Sequence, residues 1–292
     1  LFDKNSFLNK LYLGNFEFKS FHGGKKMFKK IMIMVDNSPI MENVIEYVTT
    51  LFPNSFYYLY SIVNLGAFAG YYSKIVSQQM REMSSDTLRN LSLMLESKGI
   101  KFNLFLDEGD PVSSSLAFAR KNEVDLFVLE THSGLYVNKI KLGSTTASLI
   151  ENSHIPVFLL GEELMPVKSP KIVHPTSGSK YSEKATYLAG ELAKFWQGNL
   201  TTLIFRGNKE MTKKRVVEIF DSIGVKSEFY LSEEGEVPSI INFAKSNDII
   251  IGSRGSPRPT YKFRFLIRSF ALDPTVKLAV AFLPKPLLLV CD

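Results

Sequence analysis

The sequence predicts an α/β protein built from two consecutive five-stranded parallel sheets, each covered by helices on both sides. Three observations carry this. Short apolar runs alternate with segments of helical spacing through the first half, the pattern of a doubly covered parallel sheet. The same order of elements starts again at Lys171. One stretch, Asp125–Leu160, passes from an apolar run through a polar loop to Gly143-Ser144, a helical segment and a second apolar run.

The elements follow in order. Lys30–Val35 (KIMIMV) is a continuous apolar run suited to a strand buried on both faces. It ends in Asp36-Asn37-Ser38-Pro39, a turn that can also cap a helix. Met41–Leu51 has helical spacing, and Ser55–Val63 is rich in the aromatic and branched residues of a strand. Tyr72–Lys98 is a long helix ended by Gly99. Lys101–Leu106 is the third strand, and Gly109-Asp110-Pro111 turns the chain into a helix over Val112–Lys121. Leu126–Leu129 and Pro156–Leu160 are strands four and five.

Past a linker at Gly161–Ser169 the series repeats. Lys171–His174, Leu200–Phe205, Lys226–Leu231, Asp248–Ile251 and Pro286–Val290 are the strands. Tyr181–Trp196, Met211–Ile223 and Ser239–Lys245 are helices. Gly235-Glu236-Val237-Pro238 answers Gly109-Asp110-Pro111, and Gly252-Ser253-Arg254-Gly255 answers Leu126–Ser133. A repeat of roughly 130 residues is a duplicated domain, since solenoid units are shorter. The expected domains are residues 27–162 and 169–292, with residues 1–26 an extension outside the fold.

Bulk properties narrow the function classes. The 292 residues suit two domains, and a 45% hydrophobic fraction supports packed cores. A single cysteine, Cys291, offers no disulfide framework, so a reducing cytoplasm is expected. No apolar run reaches the roughly 20 residues of a membrane span. The first 26 residues lack the features of a secretion signal. A net charge of +6 fits either a solvated basic surface or affinity for polyanions. Four histidines without ligand spacing predict no metal.

Chemistry is suggested first by Gly143-Ser144. A Gly-Ser step at a helix start leaves backbone N–H groups and the positive end of the helix dipole facing a loop, a ready phosphate cradle. Strand, loop and anion-ready helix in that order place a nucleotide site at the carboxyl edge of a Rossmann-like sheet.

These residues make each half resemble the universal stress protein family, and the whole a tandem two-domain member. The resemblance covers Met27 to Val290. It implies a five-stranded α/β fold and, in nucleotide-binding members, Gly-x2-Gly-x9-Gly-Ser/Thr after strand four with an Asp after strand one. Asp36 matches that Asp, and Asn37-Ser38 follows it. Gly143-Ser144 matches the last Gly-Ser, but Glu130 and Ser133 stand at the first two glycines. A carboxylate there repels a triphosphate. The second half keeps Gly252-Ser253-Arg254-Gly255, replaces the Asp with Ser177 and lacks the distal Gly-Ser. In family dimers the fifth strands pair, so Pro156–Leu160 and Pro286–Val290 are expected to pair within this chain as a pseudo-dimer. Further homodimerisation stays open.

The resemblance implies a non-catalytic, cytoplasmic stress protein binding ATP or another adenine nucleotide, mainly in the first half. Asp36, Asn37 and Ser38 would meet the base, with Ser61 and Ile62 lining its wall. Thr131, Ser133, Gly143, Ser144 and Thr145 would hold ribose and phosphate. Gly252, Ser253, Arg254 and Gly255 are the second-half candidates, with Arg254 a forked phosphate donor. Simpler readings stand beside these: Asp36 as a helix cap, and Ser144 or Thr145 as another. His174, at the carboxyl end of its strand, could line the second-half pocket. The alternative function is a nucleotide-free interaction module using the basic aromatic block Ser256–Arg268 (SPRPTYKFRFLIR). Basic residues with stacking rings suit single-stranded nucleic acid, but no nucleic-acid module accompanies them, so that partner is not expected. No nucleophile motif or Walker loop is present.

Overall fold

The computed structural model describes residues 27–64, 73–131, 143–161, 163–205, 207–233, 236–255 and 285–291. The first half contains β1 (Lys30–Met34), α1 (Met41–Leu51), β2 (Phe56–Val63), α2 (Ser73–Ser97) and β3 (Phe102–Glu108), then α3 (Pro111–Asn122), β4 (Leu126–Glu130), α4 (Ser144–Asn152) and β5 (Val157–Leu160). The second contains β6 (Lys171–Thr176), a 3₁₀ turn at Lys180–Ser182, α5 (Glu183–Trp196), β7 (Asn199–Ile204) and α6 (Lys209–Ile223), then β8 (Glu228–Leu231), α7 (Glu236–Ala244), β9 (Ile249–Ser253) and β10 (Leu287–Val290). The residue 1–26 segment and the block Ser256–Arg268 lie outside the described residues.

All ten strands join one sheet in the order β3-β2-β1-β4-β5-β10-β9-β6-β7-β8. Neighbours are parallel within each half. The exception is β5 with β10, which run antiparallel with Phe158 opposite Leu288. The parallel pairs explain the sequence pattern. Every residue of β5 (VFLL) and β10 (LLLV) is buried, because helices cover both faces and alternation has no solvent side to serve. Each half spends its fifth-strand edge on the other, removing two pairing-prone edges.

Two apolar layers flank the sheet. On one face Val44, Val48, Leu51 and Phe52 from α1 and its end share a core with Leu188, Leu192 and Trp196 of α5. The Trp196 indole N–H donates to the Leu51 carbonyl at 3.0 Å, and its ring lies 5.5 Å from that of Phe52. The opposite layer gathers Tyr60, Phe127, Leu159, Ile250 and Leu289. No helix among the described residues is long and apolar enough to cross a membrane.

Matching details recur in both halves. The Asp125 carboxylate accepts from the Lys29 and Lys30 amides at 2.8 and 3.1 Å. Asp248 accepts from the Lys171 amide at 2.8 Å. Each aspartate thus ties the start of a fourth strand to the start of a first. Burial nevertheless pushes the Asp125 carboxyl up to about 6.

Helix starts differ between the halves. Asp110 caps α3 by accepting from the Ser113 amide at 2.7 Å, with Pro111 in the first turn. The corresponding Gly235–Pro238 stretch reads as a turn, yet α7 already begins at Glu236. Pro238 then falls in the first helical turn, where its missing N–H breaks no intrahelical bond.

Candidate functional site

The strand order reverses at β1, which lies between β2 and β4. A strand-order reversal of this kind is where open α/β sheets place a ligand crevice, outside the carboxyl ends of the strands. Asp36-Asn37-Ser38 follows β1, Glu130-Thr131 closes β4, and Gly143 precedes α4.

Each loop residue has a definite local task. The Asp36 carboxylate accepts from the Ser38 amide at 2.9 Å, closing an Asx-type turn. The helix-cap reading of Asp36 is corrected here: the cap position of α1 is Ile40, which makes no side-chain cap bond. Asn37 is fixed from α2, whose Thr87 hydroxyl donates to its side-chain oxygen at 2.9 Å. The Ser38 hydroxyl donates to the Glu130 carboxylate at 3.0 Å. Its oxygen also lies 3.3 Å from the Ile40 amide. Glu130 thus spans from the end of β4 to the β1 loop.

The Val35 amide donates to the Tyr60 carbonyl at 2.8 Å, so Ser61 and Ile62 continue β2 alongside the Asp36 loop. Ser61 is buried and Ile62 half-buried. Thr131 is committed to β5: its amide and hydroxyl donate to the Leu160 carbonyl at 2.8 and 3.2 Å. That use leaves its single hydroxyl hydrogen spent on backbone. Ser133, His132, Lys139 and Lys141 lie outside the described residues.

Gly143 is the N-cap of α4 and supplies no side-chain cap; the first turn carries no acidic residue. Gly143 and Ser144 are exposed and Thr145 is half-buried. The cap readings of Ser144 and Thr145 are corrected, since they are the first two helical residues. This end of α4 presents backbone N–H groups and the positive end of the helix dipole, and Gly143 supplies no side-chain acceptor to them.

The second-half crevice is built differently. His174 is fully buried. Its Nδ1 lies 2.7 Å from the Ile251 carbonyl and its Nε2 2.9 Å from the Thr186 hydroxyl. A carbonyl only accepts, so Nδ1 carries the hydrogen. Burial lowers the imidazole to about 4, keeping it neutral at pH 7. His174 therefore ties β6 to β9 and α5, which corrects its reading as a pocket-lining residue.

The following loop folds onto the same half. Thr176 donates to the Ser182 hydroxyl at 3.1 Å and accepts from the Gly178 amide at 3.2 Å. Gly178 has φ +69°, and a Cβ there would come within 2.5 Å of Thr212. No aspartate takes the place of Asp36; Ser177 stands there in a closed turn.

Gly252 lies opposite Leu289 and Ser253 opposite Val290 in the sheet. A Cβ on Gly252 would meet Pro175 at an ordinary 3.6 Å. Gly255 has φ +88°, which a side chain would strain. The phosphate-donor reading of Arg254 is redirected by its bonds. Its Nη1 donates to the Ile150, Glu151 and Ser153 carbonyls at 3.1, 2.9 and 3.0 Å. Those carbonyls belong to the carboxyl end of α4, in the other half.

Neighbouring acids also have partners. Asp107 accepts from the Tyr60 hydroxyl at 2.7 Å, and Glu108 pairs with Arg81. With Asp110 capping α3, each of the three acids in this turn has a protein partner.

Comparison with known proteins agrees with the fold. Residues 27–160 match the model of the Universal stress protein family. Universal stress protein MJ0531 of Methanocaldococcus jannaschii is 28% identical over 155 residues, covering 51% of this chain and 86% of that protein. A universal stress protein structure from Archaeoglobus fulgidus superposes with a TM-score of 0.72 at 18% identity, covering 90% of this chain and 98% of that one. The PA1789 protein of Pseudomonas aeruginosa gives 0.60 at 14% identity, covering 91% and 93%. At such low identity the two structures speak for the fold alone. The family model thus identifies residues 27–160 as a universal stress protein domain.

Proposed function

We propose that this is a non-catalytic universal-stress-type protein that binds an adenine nucleotide in its first half, at the crevice between β1 and β4. One observation carries the reading. The amino end of α4, without a side-chain cap, belongs to the same strand-four crossover as the Asp36–Ser38 loop's partner Glu130. Phosphate would meet the amides of Ser144 and Thr145, where anions are favoured. The base would lie toward Asp36, with Ser61 and Ile62 beside it.

Glu130 decides how well this works. Its carboxylate is engaged by the Ser38 hydroxyl at 3.0 Å, which draws it toward the β1 loop. It remains an acid near the phosphates, so weaker binding of triphosphate than monophosphate is expected in the absence of a divalent cation. In the second half, the closed Thr176–Ser179 turn and the engaged Arg254 support a bracing role instead. The antiparallel β5–β10 pair supports reading the two halves as an intramolecular pseudo-dimer.

The test is a thermal-shift titration of the full chain with ATP, ADP and AMP, with and without magnesium. A ligand bound to the native state raises the melting temperature by mass action. No shift with any nucleotide at millimolar concentration would refute the reading and favour the nucleotide-free interaction module.

A further inference from the structure

We propose that Arg254 is a positioning residue for the first-half phosphate site, supplied by the second half. The inference rests on the nucleotide reading above and adds to it which distant residue sets the site's geometry. Arg254 follows β9 directly, and its amide donates to the Val290 carbonyl at 2.9 Å. In the sheet register the same slot in the first half holds Thr131, one position out from the motif alignment of Gly252 with Glu130, and its amide donates to the Leu160 carbonyl at 2.8 Å. Two residues in the same backbone slot thus have different uses. The Thr131 hydroxyl stays on its own sheet, whereas the Arg254 side chain crosses the β5–β10 junction to α4.

The chemistry of that contact is a cation on a helix carboxyl end. The last carbonyls of a helix have no intrahelical donor and carry the negative end of its dipole. Arg254 meets three of them with one nitrogen, at 2.9 to 3.1 Å. Ser153 supports the same end: its hydroxyl donates to the Ile155 carbonyl at 2.7 Å and its side chain is fully buried. A guanidinium is always charged and holds its donors in a fixed plane, so it fixes orientation as well as contributing attraction.

The helix is short, nine residues from Ser144 to Asn152. A helix of that length is marginal alone and takes its direction from what holds its ends. Ala147, Leu149 and Ile150 anchor one face, Arg254 holds the carboxyl end, and Gly143 at the amino end supplies no side-chain cap. The phosphate-facing amides are therefore aimed by a bond at the opposite end of the helix. A phosphate cradle tolerates little displacement, because each N–H must point at an oxygen.

The experiment uses the full chain with Arg254→Gln and Arg254→Lys. Hydrogen exchange is followed in α4 and, as a control, in α3. Affinities for ATP and for adenosine are measured in parallel. In Arg254→Gln, α4 amides should exchange about tenfold faster while α3 stays unchanged, the loss of one charge-assisted contact set. ATP affinity should fall by about fivefold to tenfold, with adenosine unchanged within about twofold, because only the phosphates meet α4. Arg254→Lys should recover part of both, since an ammonium keeps the charge but not the fork. Unchanged α4 exchange would overturn the proposal. So would equal losses for ATP and adenosine, which would mark a general loss of structure. A wild-type chain that ignores ATP would overturn the site reading and the positioning role together, while the exchange result would still report on the brace by itself.

Discussion

Acidification tests the placement of His174, because its imidazole is buried and neutral. Its folded value is about 4 against an ordinary 6.5, lowered by burial. The unfolded chain therefore binds the proton first as pH falls. Stability from this group is full above about pH 6.5, declines below it, and the loss levels off beneath about pH 4. Integrating over that window gives a loss of about 3 kcal/mol by pH 4. Asp125 works the other way. Burial raises its carboxyl to about 6, so the folded state holds that proton more tightly, and falling pH stabilises it through much of the same range. The wild-type curve should thus look flatter than either group alone would make it. A His174→Gln variant separates them. Its stability difference from wild type should shrink by about 3 kcal/mol between pH 7 and pH 4, because only the wild type has an imidazole to protonate. Urea unfolding followed by fluorescence of the single tryptophan, Trp196, measures this. That indole is buried and bonded to Leu51, so its emission reports the junction between halves. A rival arrangement exists: Thr186 can turn its hydrogen to the Ser182 carbonyl, 2.9 Å away, and accept from a protonated Nε2. If that network carries the imidazolium without penalty, the difference between wild type and variant will not change with pH, and the argument from burial is refuted.

Three further outcomes follow from the same geometry. Glu130→Gln keeps the side-chain length and an acceptor for Ser38 while removing a charge. It should tighten ATP about tenfold and leave adenosine unchanged, the effect of a like charge worth roughly 1–2 kcal/mol; isothermal titration that finds equal effects on both ligands would contradict a phosphate-facing role. Gly255→Ala forces a side chain onto φ +88° and should cost about 1 kcal/mol or more in urea unfolding. Trp196→Phe removes the donor to the Leu51 carbonyl and part of the ring contact with Phe52, and should lower stability by about 2 kcal/mol, read by circular dichroism.

The fold was legible because its determinants are local. Val157–Leu160 and Leu287–Val290 are unbroken apolar runs since both faces of those strands are covered. Asp110 before Pro111 marks a helix start by residue types within three positions. The restart at Lys171 was visible because a duplicated fold repeats the same local signals. The site was legible only in outline. Gly143-Ser144 announced a helix start, and Asp36 a strand end, but nothing local says that Ser38 bonds Glu130 across 92 residues. The same holds for Asn37 and Thr87, and for His174 and Ile251, 77 residues apart. Such bonds are chosen by strand register and helix packing, which leave no period in the sequence. His174 shows the cost most clearly: a histidine at the carboxyl end of a strand reads as a pocket residue until its two partners are seen. A hint was present in its neighbours, since Val173 and Ile172 precede it in an apolar strand, but that hint does not distinguish a buried histidine from an exposed one.

The two halves differ in complementary ways, and the sheet order explains how that is compatible with the single site proposed above. In a pair of identical halves each fourth-strand loop would serve its own crevice. Here the β9 loop serves α4 instead, and it can do so because β10 lies between β5 and β9. The antiparallel register, Leu287 opposite Leu159 and Leu289 opposite Val157, sets the carboxyl end of β9 beside the start of β5. The residues leading into β5, Ser153 to Pro156, are the exit of α4. An arginine placed just past β9 therefore meets that helix exit without any special loop. In the second half the first-strand loop closes on Thr176, and His174 is buried in β6. What that half supplies is a fixed hold on α4, the helix whose amino end the proposed phosphate site uses, in the half with the poorer glycine pattern.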